Sequence, residues 1–311
     1  MSGRPDTITD VPGVEVGHAE VEGGRSGCTV LLGGMRVRAD LRGLATGTRE
    51  LATLRDGHVT SRVDALLLTG GSAFGLAAAD GVMRWLEDHG RGHSTSIGPV
   101  PIVPAAVLFD LAPDRPRPGP EQGWVACQKA SSDPVPEGRV GAGAGATVGK
   151  LEGVERASAG GVGSASVRWT QWTLGALVVT NALGNVVDSR GRVVGRDGSE
   201  EDATRALLES TAPGNRDRTG FQTGENTTLG VVLTDAPVDA EGLVRIARLA
   251  TTAVARRISP SHTPFDGDVV FAGSTAEDTA PQSTRDTLAL GVAAREALET
   301  AILRSVRPRP E

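Results

Sequence analysis

A chain that cuts its own backbone needs a hydroxyl or thiol on the residue after the scissile bond. GENTTLGVVLTDA, Gly224 to Ala236, offers one. Thr227 stands where a polar loop gives way to an apolar, β-branched run. From there its hydroxyl can attack the Asn226 carbonyl and form an ester, which water opens. The new α-amino group on Thr227 would titrate at about 7.7–8.0, so a single residue could supply nucleophile and base. The pair Thr227-Thr228 also has a plainer reading, because threonine is common where a strand begins. Downstream, SHTPFDGDVVFAG places Asp266 and Asp268 two residues apart. On an extended chain both carboxylates share a face and can hold an ammonium, though Asp-Gly is also ordinary turn chemistry. No His or Glu stands at ligand spacing around them, which argues against a metal site.

Two other stretches invite a chemical reading. In GGSAFGL, Ser72 follows a strand and opens a helix, as a hydrolase nucleophile would, but Phe74 occupies the position of the second elbow glycine. Capping a helix or lining a pocket at a tight turn suits Ser72 better. GAGAGATVGK fails as a phosphate loop, because Ala144 and Leu151 occupy positions that need Gly and Ser or Thr. The stretch reads instead as a close-packed glycine segment. Lys150 at its end is either solvated or turned towards a cavity, where it could polarise a carbonyl.

The elements that must position these groups alternate irregularly. Strands are expected in VEVGHAEV, CTVLLGG, MRVRADLRG, DALLLTGG, SASVRWTQW, ALVVTNALGNVVD, 227–235 and 268–272. Helices are expected over 74–89, 200–209, 240–257 and about 284–306. VPIVPAAVLFDL begins extended and could turn helical only after Pro104. Residues 112–138 read as a Pro- and Gly-rich surface loop, and 211–226 as a sixteen-residue loop long enough to imply function or disorder. No internal repeat is visible, and the class is α+β.

Composition narrows the function. At 311 residues with 39% hydrophobic and 23% charged, the chain is long enough for a large core. The 42 glycines indicate many tight turns. A net charge of −6, 3% aromatics and no Tyr argue against a nucleic-acid partner. Cys28 and Cys127 are too few for a disulfide framework. No run reaches the ~20 apolar residues of a membrane helix, and no signal peptide is evident, so a cytoplasmic location is expected.

In order, ITDVPGVEVGH, LLLTGGSAFGLAAADGVMRWLE, VPIVPAAVLFDL, GAGAGATVGK, NTTLGVVLTDA and HTPFDGDVVFA resemble the DmpA-type aminopeptidase/amidases of peptidase family S58. That family includes β-peptidyl aminopeptidases and nylon-oligomer hydrolases, and Thr at the cleavage point is most similar to the nylon-oligomer branch. The resemblance implies an αββα sandwich and a single catalytic domain, 1–311, cut into chains 1–226 and 227–311. It implies amide hydrolysis without metal or organic cofactor, on short peptides, amino-acid amides or ω-amino-acid oligomers, by a homotetramer. Thr227 matches the nucleophile, and Asp266 and Asp268 the acidic pair that orients its amine. Lys150 and Asn181 match polar groups around the scissile carbonyl. Relatives often carry a Tyr where this chain has Phe109, so a phenol hydrogen bond beside the substrate is missing here. An acyltransferase of the ornithine acetyltransferase type and an uncut binding protein on the same scaffold are the alternatives.

Overall fold

Strand β2 (Gly27–Leu41) is long enough to serve two sheets at once. The computed structural model describes residues 6–55, 57–196, 198–210, 212 and 225–307. The other strands of these sheets are β1 (Glu15–Glu20), β3 (Gly47–Arg49), β4 (Val63–Thr69), β5 (Ala105–Val107), β6 (Gly161–Trp169), β7 (Trp172–Asn181), β8 (Thr227–Thr234) and β9 (Val269–Ser274). They follow the order β6-β7-β8-β9-β2-β4-β5-β3, with β1 also on β2. The first half of β2 pairs with β1 and β4, and the second half with β9. The register slips between Leu32 and Met35, where Gly33 takes a φ of 153°. A bulge of this kind bends a strand. CTVLLGG and MRVRADLRG are therefore one bent strand, not two.

Residues on alternate faces of these strands build three apolar layers. Leu31, Leu66 and Leu68 of one sheet meet Leu177, Val179, Leu229, Val231 and Phe271 of the other. Val178, Val232 and Val270 point the opposite way, into α4 (Ala240–Arg257) and α5 (Thr284–Ser305). Val30, Leu32 and Leu67 pack under α1 (Ala78–Asp88) and α2 (Pro120–Gln128). The layers run helix, sheet, sheet, helix, the arrangement expected from the resemblance. With both faces covered, β7 and β8 read as nearly continuous apolar runs. Asp239 caps α4, accepting from the Gly242 N–H at 2.8 Å, and Arg256 and Arg257 sit in its last turn. α3 (Glu200–Ser210) lies where the sequence places a helix.

Other expectations need correcting. The segment after Pro104 forms β5 and no helix, because its backbone is taken up by β4 on one side and β3 on the other. WVACQKA, expected in a loop, contributes to α2, with Pro120 at the first turn and Ala126 and Cys127 buried against α1. The expected helix at 74–89 opens as a 3-10 turn, Ser72–Ala77, and becomes α-helical at Ala78. SASVRWTQW is strand from Ser164 to Trp169, as expected, but then turns a hairpin, with Trp169 paired to Trp172 and Thr170 at a φ of 53°. Most of the 211–226 loop lies outside the described residues. Among those described, no helix is long and apolar enough to cross a membrane.

Phe271 of β9 is fully buried between the sheets. Phe271→Ala should cost about 3–5 kcal/mol, and chemical denaturation followed by circular dichroism will measure the loss.

Candidate active site

β8 lies between β7, antiparallel, and β9, parallel. Three chain ends therefore meet at one edge of the sheet: the start of β8, the end of β7 and the approach to β9. Thr227 is the first residue of β8 and Asn181 the last of β7, and the two are paired directly in register. Asn226 bridges to Asp266 in the segment leading into β9. Thr227, Asn226, Asp266, Asp268, Asn181 and Lys150 are all buried.

The peptide bond between Asn226 and Thr227 is held from both sides. The Thr227 hydroxyl donates to the Asn226 carbonyl at 2.6 Å, and the Gly267 N–H donates to the same oxygen at 2.9 Å. Gly267 has to be small: a Cβ there would stand 2.5 Å from the Ala45 carbonyl oxygen and 3.1 Å from Thr227 Oγ1. The approach to β9 is pinned to the loop after β2, with the Ala45 N–H donating to the Asp266 carbonyl at 3.0 Å and the Arg42 N–H to that of Asp268 at 2.8 Å.

The two carboxylates have different surroundings. Asp266 Oδ2 accepts from the Thr263 N–H at 2.9 Å and the Thr263 hydroxyl at 2.6 Å. Burial, and then the neighbouring Asp268, push the Asp266 carboxyl up to about 6 despite those bonds. Asp268 Oδ1 accepts from the Thr228 N–H at 2.7 Å. Its Oδ2 faces His262, whose Nδ1 lies at 2.8 Å and whose backbone N–H donates at 3.2 Å. The pair shares one region, as the spacing suggested, with Asp266 in a bridge to Asn226 and Asp268 directly ahead of β9.

Lys150 and Asn181 form the other wall. Gly149, at a φ of 73°, turns the chain so that Lys150 points inward, and a Cβ on Gly149 would lie 2.4 Å from Asn185 Oδ1. Lys150 Nζ donates to Asn181 Oδ1 at 3.0 Å, Asn226 Oδ1 at 3.1 Å and the Asn181 carbonyl at 3.2 Å, with the Glu225 carbonyl at 3.4 Å. Burial pushes its ammonium down to about 7, against the pull of Asp266, Glu225 and Asp110. Asn181 Nδ2 donates to the Phe109 carbonyl at 2.9 Å and the Glu225 carbonyl at 3.2 Å. Phe109 thus meets the cluster through its backbone.

Ser72 stands apart. Its N–H donates to the Leu108 carbonyl at 2.9 Å, and among the described residues no hydrogen bond joins it to Thr227 or the carboxylates. The cap position of its turn falls on Gly71, so Ser72 does not cap it. The glycine segment is close-packed as expected: a Cβ on Gly143 would meet the Val162 nitrogen at 2.5 Å, and one on Gly145 would meet Asp110 Oδ2 at 2.5 Å.

Sequence reasoning passed over Gly267, Thr263 and His262. Gly267 acts through a backbone N–H, which no side-chain pattern advertises. Thr263 could have been found, since Thr three residues before Asp is a local capping pattern. His262 carries no local signal, and only the fold brings it onto Asp268.

Comparison with known proteins places this arrangement. The model of peptidase family S58 matches residues 6–308. A protein of Mycobacterium tuberculosis described as an uncharacterized aminopeptidase is 42% identical over 97% of this chain and 93% of its own length. A 6-aminohexanoate-oligomer endohydrolase of Paenarthrobacter ureafaciens is 31% identical over 97% of this chain and 86% of its own. Among solved structures, a β-aminopeptidase from a Burkholderia species superposes with a TM-score of 0.73 at 22% identity, covering 98% of this chain and 87% of the other. The L-aminopeptidase D-Ala-esterase/amidase of Ochrobactrum anthropi, a variant of the Ntn-hydrolase fold, gives 0.70 at 19% identity, over 98% and 87%. The chain belongs to peptidase family S58. It is a hydrolase of the aminopeptidase/amidase type with the DmpA variant of the Ntn-hydrolase fold.

The raised pKa of Asp266 has a consequence for stability. Its value is 3.8 unfolded and about 6 folded, so the folded state binds the proton more tightly and stability falls as pH rises through that window. Asp266→Asn never ionises. It should melt above the parent by at least about 2 °C near neutral pH, with the gap narrowing as pH falls from 6 towards 4. Thermal melts across that range, with Thr227→Ala in both proteins so that the chain stays uncut, will check it.

Proposed function

We propose that the chain matures by cutting itself between Asn226 and Thr227, and that Thr227 is then the nucleophile of an amide hydrolase. The observation that carries this reading is the Asn226 carbonyl held between the Thr227 hydroxyl at 2.6 Å and the Gly267 N–H at 2.9 Å. A donor on that oxygen stabilises the charge that develops when the hydroxyl attacks the carbonyl carbon. The C–N bond then breaks, the Thr227 nitrogen takes the hydroxyl proton, and water opens the ester. The products are chains 1–226 and 227–311.

In the mature site the Thr227 amine takes the proton from its own hydroxyl as that oxygen attacks a substrate amide. Asp266 and Asp268 hold the amine. Lys150 and Asn181 donate to carbonyl oxygens on the acyl side, as they do to the carbonyl of Glu225 in the uncut chain. These groups take over the place of the phenol that Phe109 lacks. Water resolves the acyl-enzyme and restores the hydroxyl. Substrates are short peptides, amino-acid amides or ω-amino-acid oligomers. That range is supported by the names of the relatives, aminopeptidases on one side and oligomer endohydrolases on the other.

Thr227→Ala should remain one chain and lose turnover of amino-acid p-nitroanilides by about 10⁴-fold or more. Thr227→Ser should still cut itself. A Thr227→Ala protein that splits at 226 and keeps its activity would remove the nucleophile from this account.

A further inference from the structure

The turn that leads into β9 serves both carboxyl groups from two consecutive residues. His262 lies in the left-handed region at a φ of 55°, which a residue with a side chain adopts at a cost and keeps only where its surroundings fix it. This twist of the backbone sends successive N–H groups to different acids. That of His262 donates to Asp268 Oδ2 at 3.2 Å, and that of Thr263 to Asp266 Oδ2 at 2.9 Å. Successive N–H groups turned out of the chain in this way make a concavity for anions. Here the anions come from side chains a few residues further on.

Each of the two residues then adds its side chain to the same acid. The Thr263 hydroxyl reaches Asp266 at 2.6 Å, and His262 Nδ1 lies 2.8 Å from Asp268 Oδ2. A carboxylate only accepts, so Nδ1 carries the hydrogen in this contact. Asp268 is 2% exposed. Its Oδ1 takes the Thr228 N–H at 2.7 Å, and its Oδ2 takes the backbone and ring donors of His262. Since Oδ1 is tied to the residue next to Thr227, the grip on Oδ2 decides whether the carboxyl group can rotate away from the nucleophile.

Resting on the hydrolase reading above, we propose that His262 is a positioning residue for the Thr227 amine. Its ring N–H locks the Asp268 carboxylate in the orientation that holds this amine once the chain is cut. The amine is thereby kept where it takes the proton of the Thr227 hydroxyl. Among the described residues no hydrogen bond joins the ring to Asn226, Thr227, Lys150 or Asn181. The ring therefore serves turnover, through Asp268, and not the cut itself.

Two variants separate the ring from the backbone. His262→Gly removes the ring, and glycine takes a positive φ without strain, so the turn survives. His262→Asn tolerates the same conformation and keeps an amide donor close to the place of Nδ1. The wild type and both variants are checked for a chain beginning at Thr227. They are then compared on the amino-acid p-nitroanilide that the wild type cleaves fastest, with kcat counted per 227–311 chain. His262→Gly should mature, melt close to the wild type and lose about tenfold or more in kcat with little change in KM. His262→Asn should recover most of that loss. A ring that only packed would instead lower the melting temperature, and asparagine would not restore kcat. Full kcat in His262→Gly would overturn the proposal, as would a loss that falls on KM alone or a His262→Asn protein no faster than His262→Gly. So would a His262→Gly chain that stays uncut while the wild type matures, because the role would then precede the amine. If the wild type itself never forms a chain beginning at Thr227, or cleaves none of these amides, the hydrolase reading fails and this proposal with it.

Discussion

The peptide bond between Asn226 and Thr227 is buried at the edge of the sheet, and the register of β7, β8 and β9 is what holds it there. Asn181 stands opposite Thr227 on the antiparallel side, and the parallel strand β9 is entered through Asp266, Gly267 and Asp268. A shift of one residue in the β7–β8 pairing would turn Thr227 to the other face of the sheet. The Asn226 carbonyl would then lose Gly267, and the Glu225 carbonyl would leave Asn181. The surrounding αββα layers fix that register, because Leu229, Val231 and Leu233 must face the inner core while Val232 faces the helices.

The same burial makes the site electrostatically tense. Two carboxylates and an ammonium lie in an interior where each charged form is disfavoured. Hydrogen bonds from Thr263 and Thr228, together with the His262 contact, offset part of this for the acids. Asn181 and Asn226 supply acceptors for Lys150. With Asp266 near 6 and Lys150 near 7, both groups titrate close to neutrality, where a proton can move at little cost. A well-packed core of apolar β strands is what tolerates such a cluster. The large inward residues, Phe271 among them, support the cluster in that indirect sense.

Much of this could be read from residue types. Thr227, the Asp266–Asp268 pair and Lys150 stand out in the sequence as polar residues that could do chemistry together, and the fold brings them to one edge of the sheet. The strands were legible because burial on both faces leaves long apolar runs. What escaped was either backbone or long-range. Gly267 contributes an N–H that every residue but proline has. His262 matters only because a turn carries it back onto Asp268. The α2 helix was hidden by the prolines and glycines that flank it, although Pro120 suits a first turn. Ser72 lies apart from the cluster: a strand-to-helix junction resembles a nucleophile elbow locally, but the fold gathers the polar groups at the start of β8 instead.

The most direct measurement is the intact mass and amino-terminal sequence of the freshly purified wild-type protein. Two chains, one beginning TTLGVV, would show that the bond held between the Thr227 hydroxyl and the Gly267 N–H is the one that breaks. A single chain of 311 residues after prolonged incubation near neutral pH would contradict the account.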